Sequence, residues 1–351
     1  MQKAKGLLIN YPLAIIIHFP KDEDTMGKTN KIGRIFKSGA LPIFVVCFAC
    51  IIFFAIISGG TYLKLLNIRG ILYSMVITGC LTIGVAYIII YGEIDLSTGA
   101  VGTLCAIVLG IFSTSWGIPW YFGIIMVLIL GALIGLVNAF FVNVLKIPSF
   151  IATLAMLTMA EGLSFAIVSF DSIQLTDPIF DYLGMGRVFG DIIPVSFIIV
   201  IVLIVIYGIM LTRTEFGRTV YLCGGNRLAA NLAGLRPTRI SYILFANCGM
   251  LASLAGVLFS ARIGAARPTG ITGNSFTGIT AAILGGVSFG GGKGNLLGCF
   301  LGIMLISCFN NGMVVVGMNH YLQDVANGGL LLIALFVDHI SISRRSKTAK
   351  S

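Results

Sequence analysis

The sequence is poor in charged residues, in histidine and in tryptophan. Of its 351 residues, 10% are Asp, Glu, Lys or Arg, while 3 are histidine and 2 are tryptophan. A soluble globular domain carries about 25% charged residues, so this chain is not an ordinary soluble domain. His18, His320 and His339 lie far apart and match no metal-ligand motif, which argues against a metal enzyme and predicts no metal and no cofactor.

Sites for nucleotides and nucleic acids are missing as well. The glycine cluster at 285–294 contains Lys293, but a phosphate-binding loop has the pattern G-x-x-x-x-G-K-[ST]. Here Val287 stands where the first glycine belongs, and Gly294 stands where Ser or Thr belongs. The sequence therefore predicts that this chain does not hydrolyse ATP, and that these glycines allow close packing or a sharp turn. No block of Lys and Arg is interleaved with aromatic residues, which excludes a nucleic-acid partner.

Apolar residues are abundant instead. They make up 57% of the chain, and the mean hydropathy is +1.01. A helix needs roughly 20 apolar residues to cross a bilayer, so the sequence predicts an all-α polytopic integral membrane bundle of about ten helices. The apolar runs lie at 41–60, 68–91, 97–114, 119–144, 148–169, 192–212, 240–261, 277–290, 295–316 and 324–340. The eighth run is short and contains Gly285 and Gly286, as in a broken or re-entrant helix inside the protein.

The basic residues are unevenly distributed between the two sides of this predicted bundle. There are 23 Lys and Arg against 13 Asp and Glu. With the N-terminus inside the cell, ten spans leave five of the basic residues outside and eighteen inside. The positive-inside rule then predicts that both termini are cytoplasmic. The chain divides into a basic cytoplasmic leader (1–40, with Met26 as an alternative start), a single membrane domain (41–340) and a basic tail (341–351).

The outer connection, 170–191, separates two halves of five spans each. It has a net charge of −3, and the sequence predicts that Asp171, Asp177 and Asp181 dock a partner with a basic patch. An odd number of spans per half would give the halves opposite orientations, as in inverted-repeat transporters. Only the matching glycine spacings at 131 and 135 and at 298 and 302 support such a repeat.

The inner connection, 213–239, carries five arginines against Glu215. Within it, Asn226 can cap a helix of two or three turns, and Gly234 can end that helix. Alanines at 229, 230 and 233 offer a thin face, flanked by leucines, that could press into a groove on a partner. An amphipathic connector lying on the membrane explains the same pattern, and the residues alone do not choose between the two interpretations.

Several stretches, taken in order, resemble one family. The string YLCGGNRLAANLAGL at 221–235 is similar to the coupling-loop signature of permease subunits of sugar-type ABC importers, the ribose, galactose and xylose group. Further matching stretches are GEIDLSTGAVGTL at 92–104, GLVNAFFVNVLKIPSFIATLAML at 135–157, TEFGRTVY at 214–221 and the glycine-rich segment 261–295. The resemblance covers roughly residues 40 to 340.

This resemblance implies a multi-pass subunit of the bacterial plasma membrane that is not itself an enzyme. Its partners would be a second permease chain, ATP-binding cassette subunits and an extracytoplasmic sugar-binding protein. The short helix after the paired glycines would couple the ATPases to the spans. Its motif positions are Gly224, Gly225, Asn226, Arg227, Ala229, Ala230 and Gly234. Arg227 departs from the acidic residue often found there, which puts the charge of the docking contact in doubt.

Four polar residues in or beside the spans are candidates for the translocation path: Asp95, Asn138, Glu161 and Asn310. Intramembrane carboxylates are costly and tend to face a cavity or a partner, and amides suit a neutral, hydroxyl-rich sugar. The alternatives are a solvated inner turn for Asp95 and simple helix packing for the amides. A stand-alone ion-coupled secondary transporter using Glu161 is the alternative function.

Overall fold

The structure is a computed structural model that describes residues 40–169 and 171–348. The predicted leader, 1–40, lies almost wholly outside the described residues, and so do the last residues of the tail. The helices are α1 (Ala40–Ile57), α2 (Leu65–Ile90), α3 (Thr98–Gly110), α4 (Trp120–Asn143), α5 (Ser149–Val168), α6 (Pro178–Met185), α7 (Val195–Arg213), α8 (Glu215–Gly225), α9 (Arg227–Leu232), α10 (Pro237–Ile263), α11 (Asn274–Leu284), α12 (Leu296–Val315) and α13 (His320–Thr348).

Short elements connect these helices. A 3-10 turn (Thr61–Leu63) precedes α2, and a π-helical turn (Ile111–Ser115) continues α3. Four two-residue strands lie among the connections: β1 (Ile173–Gln174), β2 (Arg187–Val188), β3 (Ile193–Pro194) and β4 (Ala265–Ala266). Strand β1 pairs antiparallel with β4, and β2 pairs antiparallel with β3 in a hairpin.

The prediction of an all-α polytopic membrane protein is confirmed for the described residues. Eight helices are long and apolar enough to cross a membrane: α2, α3 with its π turn, α4, α5, α7, α10, α12 and α13. The first predicted span contains a shorter apolar helix, Pro42–Ile57. The eighth contains α11, which has 11 residues and ends at Leu284, so it is too short to cross alone. The count of ten spans and the orientation of the termini stay predictions.

Helices α2 and α10 form the centre of the bundle. Of the 18-residue apolar stretch of α2, 94% is buried inside the protein. Small residues bring the backbones close together, since a Cβ added at Gly84 would lie 3.0 Å from the Cys248 sulfur of α10. Helix α4 packs on the other side of α10, where a Cβ at Gly131 or Gly135 would overlap the α10 backbone. Such close packing of small residues is the usual means by which helices associate in a membrane.

Two interruptions face each other inside this core. Residues 92–97 separate α2 from α3, and residues 264–273 separate α10 from α11. The first turns of α3 and α11 meet, because the Gly99 backbone N–H donates to Ser275 Oγ (2.7 Å). Nearby, the Ile271 backbone N–H donates to Thr103 Oγ1 (2.9 Å). Non-helical backbone is tolerated at membrane depth only where protein satisfies its polar groups, and these hydroxyls do so.

Candidate coupling site and polar interior

Helices α8 and α9 lie at one end of the bundle, which we call the 213–239 end. Thr214 caps α8, since its hydroxyl accepts from the Gly217 N–H (3.2 Å). Asn226 caps α9 as predicted, and its Oδ1 accepts from the Ala229 N–H (2.9 Å). The predicted length of two or three turns is wrong, because α9 has only 6 residues. Pro237 is the first residue of α10, a position where proline is favoured because its fixed φ suits the helix and its missing N–H is not needed.

Three backbone segments meet beneath these helices at a set of glycines that we call the glycine junction: Gly92, Gly224, Gly291 and Gly292. The Gly292 N–H donates to the Ile90 carbonyl oxygen (2.7 Å). A Cβ added at Gly224 would overlap that same oxygen and lie 2.8 Å from the Gly292 nitrogen. A Cβ at Gly291, whose φ is +74°, would lie 3.2 Å from the Gly92 Cα. The end of α8 therefore touches the end of α2 and the 285–295 loop with no side chain between them.

Side chains reinforce this contact. The Tyr221 hydroxyl donates to the Gly294 carbonyl (2.6 Å), which ties α8 to the 285–295 loop. Arg227 Nη2 lies 2.6 Å from Glu93 Oε1, and its guanidinium stands 4.7 Å from the centre of the Tyr91 ring. Sequence analysis placed Arg227 in the docking contact, whereas its guanidinium turns toward the bundle and pairs with this chain's own Glu93.

The opposite face of α8 and α9 is apolar and exposed. Leu222, Leu228 and Leu232 are 59%, 70% and 81% exposed. Ala229 and Ala233 are exposed beside them, but Ala230 is buried. The predicted thin face of three alanines is therefore wrong at Ala230, which packs inward. The exposed patch, which we call the leucine patch, consists of Leu222, Leu228 and Leu232.

Two further motif glycines of this end have different surroundings. A Cβ added at Gly225 or at Gly234 would meet nothing within 4 Å. Gly234 has a φ of +81°, which L-residues rarely adopt, so glycine is required there by backbone conformation. Cys223 lies in α8, two residues before Gly225. Burial raises the pKa of its thiol, while the charge of Arg227 opposes that rise. The thiol is therefore protonated at neutral pH.

Two of the predicted path residues meet at the first interruption, Asp95 within it and Asn138 on α4. Asp95 is 1% exposed, and its Oδ1 accepts from the backbone N–H (2.9 Å) and the hydroxyl (2.6 Å) of Ser97. Asn138 Nδ2 donates to Ser97 Oγ (3.0 Å). Hydroxyls of α5 accept from the backbone at 94 and 96. This network satisfies backbone N–H groups of the interruption, which is a structural reason for an acid at position 95, while Asn138 Oδ1 is buried without a partner among the described residues.

The other two predicted path residues lie apart from that network. Glu161 is half-buried on α5 and makes no ion pair within the part of the chain that the structure describes. Asn310 lies on α12, and its Oδ1 is buried without a hydrogen-bond partner among the described residues. Over 40–169 and 171–348, no three residues of the His, Cys, Asp and Glu types lie close enough together to hold a metal ion.

The other end of the bundle, which we call the 171–194 end, is rich in charge. Asp171 and Asp181 are exposed, whereas Asp177 caps α6 by accepting from the Ile179 N–H (3.0 Å). Sequence analysis missed an arginine cluster here, because its members are distant in the chain. Asp191 bridges Arg69 (3.1 Å) and Arg187 (2.9 Å), and the Arg262 guanidinium stands 4.6 Å from the centre of the Tyr73 ring.

Comparison with known proteins identifies the family to which this site belongs. A family model described as the permease component of branched-chain amino acid transport systems matches residues 67–335. The chain is 33% identical over 279 residues to the ribose import permease protein RbsC of Bacillus subtilis (strain 168), covering 79% of this chain and 86% of that one. It belongs to the permease subunits of sugar-type ABC importers. This permease is also 30% identical over 364 residues to the xylose transport system permease protein XylH of Haemophilus influenzae, covering 86% and 97%.

A third relative is the ribose import permease protein RbsC of Escherichia coli K12, which is 31% identical to this permease over 301 residues, covering 83% of this chain and 92% of that one. No solved structure matches. The family resemblance predicted from the motifs is thus confirmed, and the stretch that carried it, 221–235, contains the leucine patch and Gly224 of the glycine junction. The contacts of Tyr91, Gly92 and Ser97 were missed, because no local sequence signal joins them to their distant partners.

Proposed function

We propose that this permease imports a monosaccharide by alternating access, driven by separate ATPase subunits that dock on the leucine patch. The observation that carries the proposal is that exposed leucines stand on α8 and α9, and that α8 ends in the glycine junction. Helix α9 has only 6 residues, and a helix this short is marginal by itself in water. Its Leu228 and Leu232 are 70% and 81% exposed, and a partner that covers them would bury apolar surface that is unfavourable in water.

The contacts below the patch supply a route for transmitted motion. Displacement of α8 by a partner would move the end of α2 and the 285–295 loop, because backbone meets backbone at the glycine junction. Both of these segments lead into the interrupted helices of the core. ATP-driven closure of the docked subunits would thereby change the packing around α3 and α11.

The remaining parts of the assembly follow from family membership and charge. We place the 213–239 end and both termini in the cytoplasm of a bacterial cell, with the chain spanning the plasma membrane as a dimer with a copy of itself or a close relative. The extracytoplasmic sugar-binding protein would dock at the 171–194 end through Asp171 and Asp181. Because relatives are permeases for ribose and for xylose, the substrate proposed is a pentose or a related sugar.

The rival function is a secondary transporter that couples sugar uptake to an ion through Glu161. The half-buried carboxylate of Glu161, without an ion pair among the described residues, is the observation in its favour. A carrier of this kind would need neither the leucine patch nor partner subunits. The two functions therefore differ in their energy source.

Reconstitution in proteoliposomes decides between them. The chain is purified alone and together with its ATPase and binding-protein partners, and uptake of radiolabelled D-ribose and D-xylose is measured with internal or external ATP or with an ion gradient. ATP-dependent uptake by the complete assembly, with none by the chain alone, is the expected result. Uptake by the chain alone that follows a proton or sodium gradient and falls with Glu161→Gln would establish the carrier instead.

A further inference from the structure

A cleft between α11, α12 and α13 was not predicted from the sequence. It has a volume of about 320 Å³ and is lined in part by Phe276, Thr277, Thr280, Ile306, Asp324 and Asn327. Small-molecule sites occupy about 300–1,000 Å³, so this volume suits a small solute. Helix α13, which forms one wall, is exposed along most of its length.

The cleft offers hydrogen-bond acceptors that the described part of the protein does not satisfy. Asn327 Oδ1 is buried and has no partner among the described residues. Two acceptors on α12, Ser307 Oγ and Asn310 Oδ1, are buried and unpartnered in the same sense. This spacing places only Asn310 toward the cleft, because it lies one turn from Ile306, which lines the cleft, whereas adjacent residues such as Ile306 and Ser307 do not share a helix face. The Thr280 hydroxyl donates to the Phe276 carbonyl (2.7 Å), which leaves its oxygen free to accept.

The position of Asp324 favours water or solute over lipid at the end of the cleft where α13 begins. This exposed carboxylate lies in the apolar span Tyr321–Ile340, and no ion pair with it is formed among residues 40–169 and 171–348. Charged groups within a membrane span face a water-filled cavity or a partner, because exposure to hydrocarbon is costly. A fixed negative charge also disfavours an anionic solute.

We propose that this cleft is a monosaccharide site on the translocation path, with Asn327 and Asp324 accepting from sugar hydroxyls. A neutral polyol brings the several O–H donors that the unsatisfied acceptors lack, and the half-exposed ring of Phe276 (47%) offers an apolar surface to the sugar's C–H face. The inference rests on the proposed function for the identity of the solute. The competing occupant is a sodium ion, since hard cations also prefer oxygen ligands.

Thiol labelling of the assembled transporter tests the site directly. Thr277→Cys and Asn327→Cys are treated with a positively charged methanethiosulfonate reagent in the presence and absence of D-ribose, D-xylose or D-galactose. Val325→Cys is the control, because Val325 is 71% exposed on the same helix but does not line the cleft. The wild type, whose described cysteines are free and mostly buried, sets the baseline.

We expect fast labelling at 277 and 327 and slow labelling at 325. A transported sugar at about ten times its Kd should slow labelling at 277 and 327 about tenfold. Labelling at 277 and 327 no faster than at 325 would overturn the proposal. Protection by sodium in place of any sugar would overturn it too, in favour of a cation site.

Uptake measurements separate this inference from the proposed function. Asn327→Leu is expected to lower ATP-driven uptake about tenfold by removing a sugar acceptor, while Asn327→Gln retains more activity and Val325→Leu matches the wild type. Basal ATP hydrolysis should be unchanged in Val325→Leu, because Val325 does not line the cleft. Wild-type uptake in Asn327→Leu would overturn the site alone, whereas failure of the wild-type assembly to transport any of the three sugars with ATP would count against the proposed function.

Discussion

The two ends of this bundle are held together by different kinds of contact. At the 213–239 end, backbone meets backbone across the glycine junction, and a tyrosine hydroxyl adds a further bond to the 285–295 loop. At the 171–194 end, exposed ion pairs and two-residue strands add to one close backbone contact, in which a Cβ at Gly184 of α6 would overlap the Ala261 carbonyl of α10. Backbone contacts without intervening side chains cannot give way without moving the attached helices, whereas exposed ion pairs exchange partners readily. The first arrangement suits transmission of force, and the second suits reversible docking.

The largest effect is expected when one methyl group is added at the glycine junction. Gly224→Ala places a Cβ against the Ile90 carbonyl, and overpacking of this kind typically costs about 1–3 kcal/mol or more of stability. We expect a lowered thermal unfolding midpoint of the detergent-purified chain and loss of uptake. Gly225→Ala is the matched control, since its Cβ would meet nothing within 4 Å. Equal midpoints for the two variants would contradict the junction.

A second change acts on the same end without any steric overlap. Gly234→Val places a β-branched residue at a φ of +81°, which costs about 1–2 kcal/mol of conformational energy. Because the strain falls on the turn after α9, we expect ATP hydrolysis to continue while uptake falls about tenfold. Gly234→Asn tolerates a positive φ better and should retain most coupling. Membrane insertion, checked by the yield of purified protein, should be unchanged; normal uptake by Gly234→Val would remove the coupling role of this turn.

A third experiment measures the side-chain ion pair that ties α9 to the segment after α2. The Arg227 and Glu93 side chains are 46% and 11% exposed, so solvent screens the pair only in part. A double-mutant cycle with Arg227→Gln and Glu93→Gln should give an interaction free energy near 1 kcal/mol, the upper part of the range for exposed pairs. A value near zero would mean that the backbone contacts alone hold α9 to the bundle.

The smallest effect is expected at the 171–194 end. Asp191→Asn removes the negative charge shared by Arg69 and Arg187, but the Asp191 side chain is 61% exposed. The stability loss should be a few tenths of a kcal/mol and should vanish at high salt, because exposed pairs are weak and screened. A loss as large as that of Gly224→Ala would show that this end is as tightly built as the other.

Docking at that end has its own test. Asp171→Asn with Asp181→Asn should weaken binding of the sugar-binding protein several-fold at low salt, measured by surface plasmon resonance on nanodiscs. Asp177→Asn is the matched control, because asparagine also caps helices and the substitution removes charge without removing the cap of α6. Unchanged affinity in the double variant would move the docking surface elsewhere.

The sequence predicted what depends on local pattern. Each of the eight long helices coincides with a predicted apolar run, because hydropathy is read within a single segment. The cap at Asn226 was predictable from its position before a short helix. The ion pair between Arg227 and Glu93 was not, since the two residues are 134 positions apart. The glycine junction and the cleft beside Asn327 likewise join distant segments, so only the folded chain brings their residues together.

The docking of an ATPase on the leucine patch is the central claim, and co-purification tests it most directly. The tagged chain is isolated gently from its membrane as wild type, as Leu228→Asp with Leu232→Asp, and as Leu228→Met with Leu232→Met, and the bound ATP-binding subunit is quantified by mass spectrometry. Retention by the wild type and the methionine variant, with loss from the aspartate variant at unchanged yield of folded chain, is the predicted result. Equal retention by all three, or recovery of the wild-type chain without any ATP-binding subunit, would contradict the account.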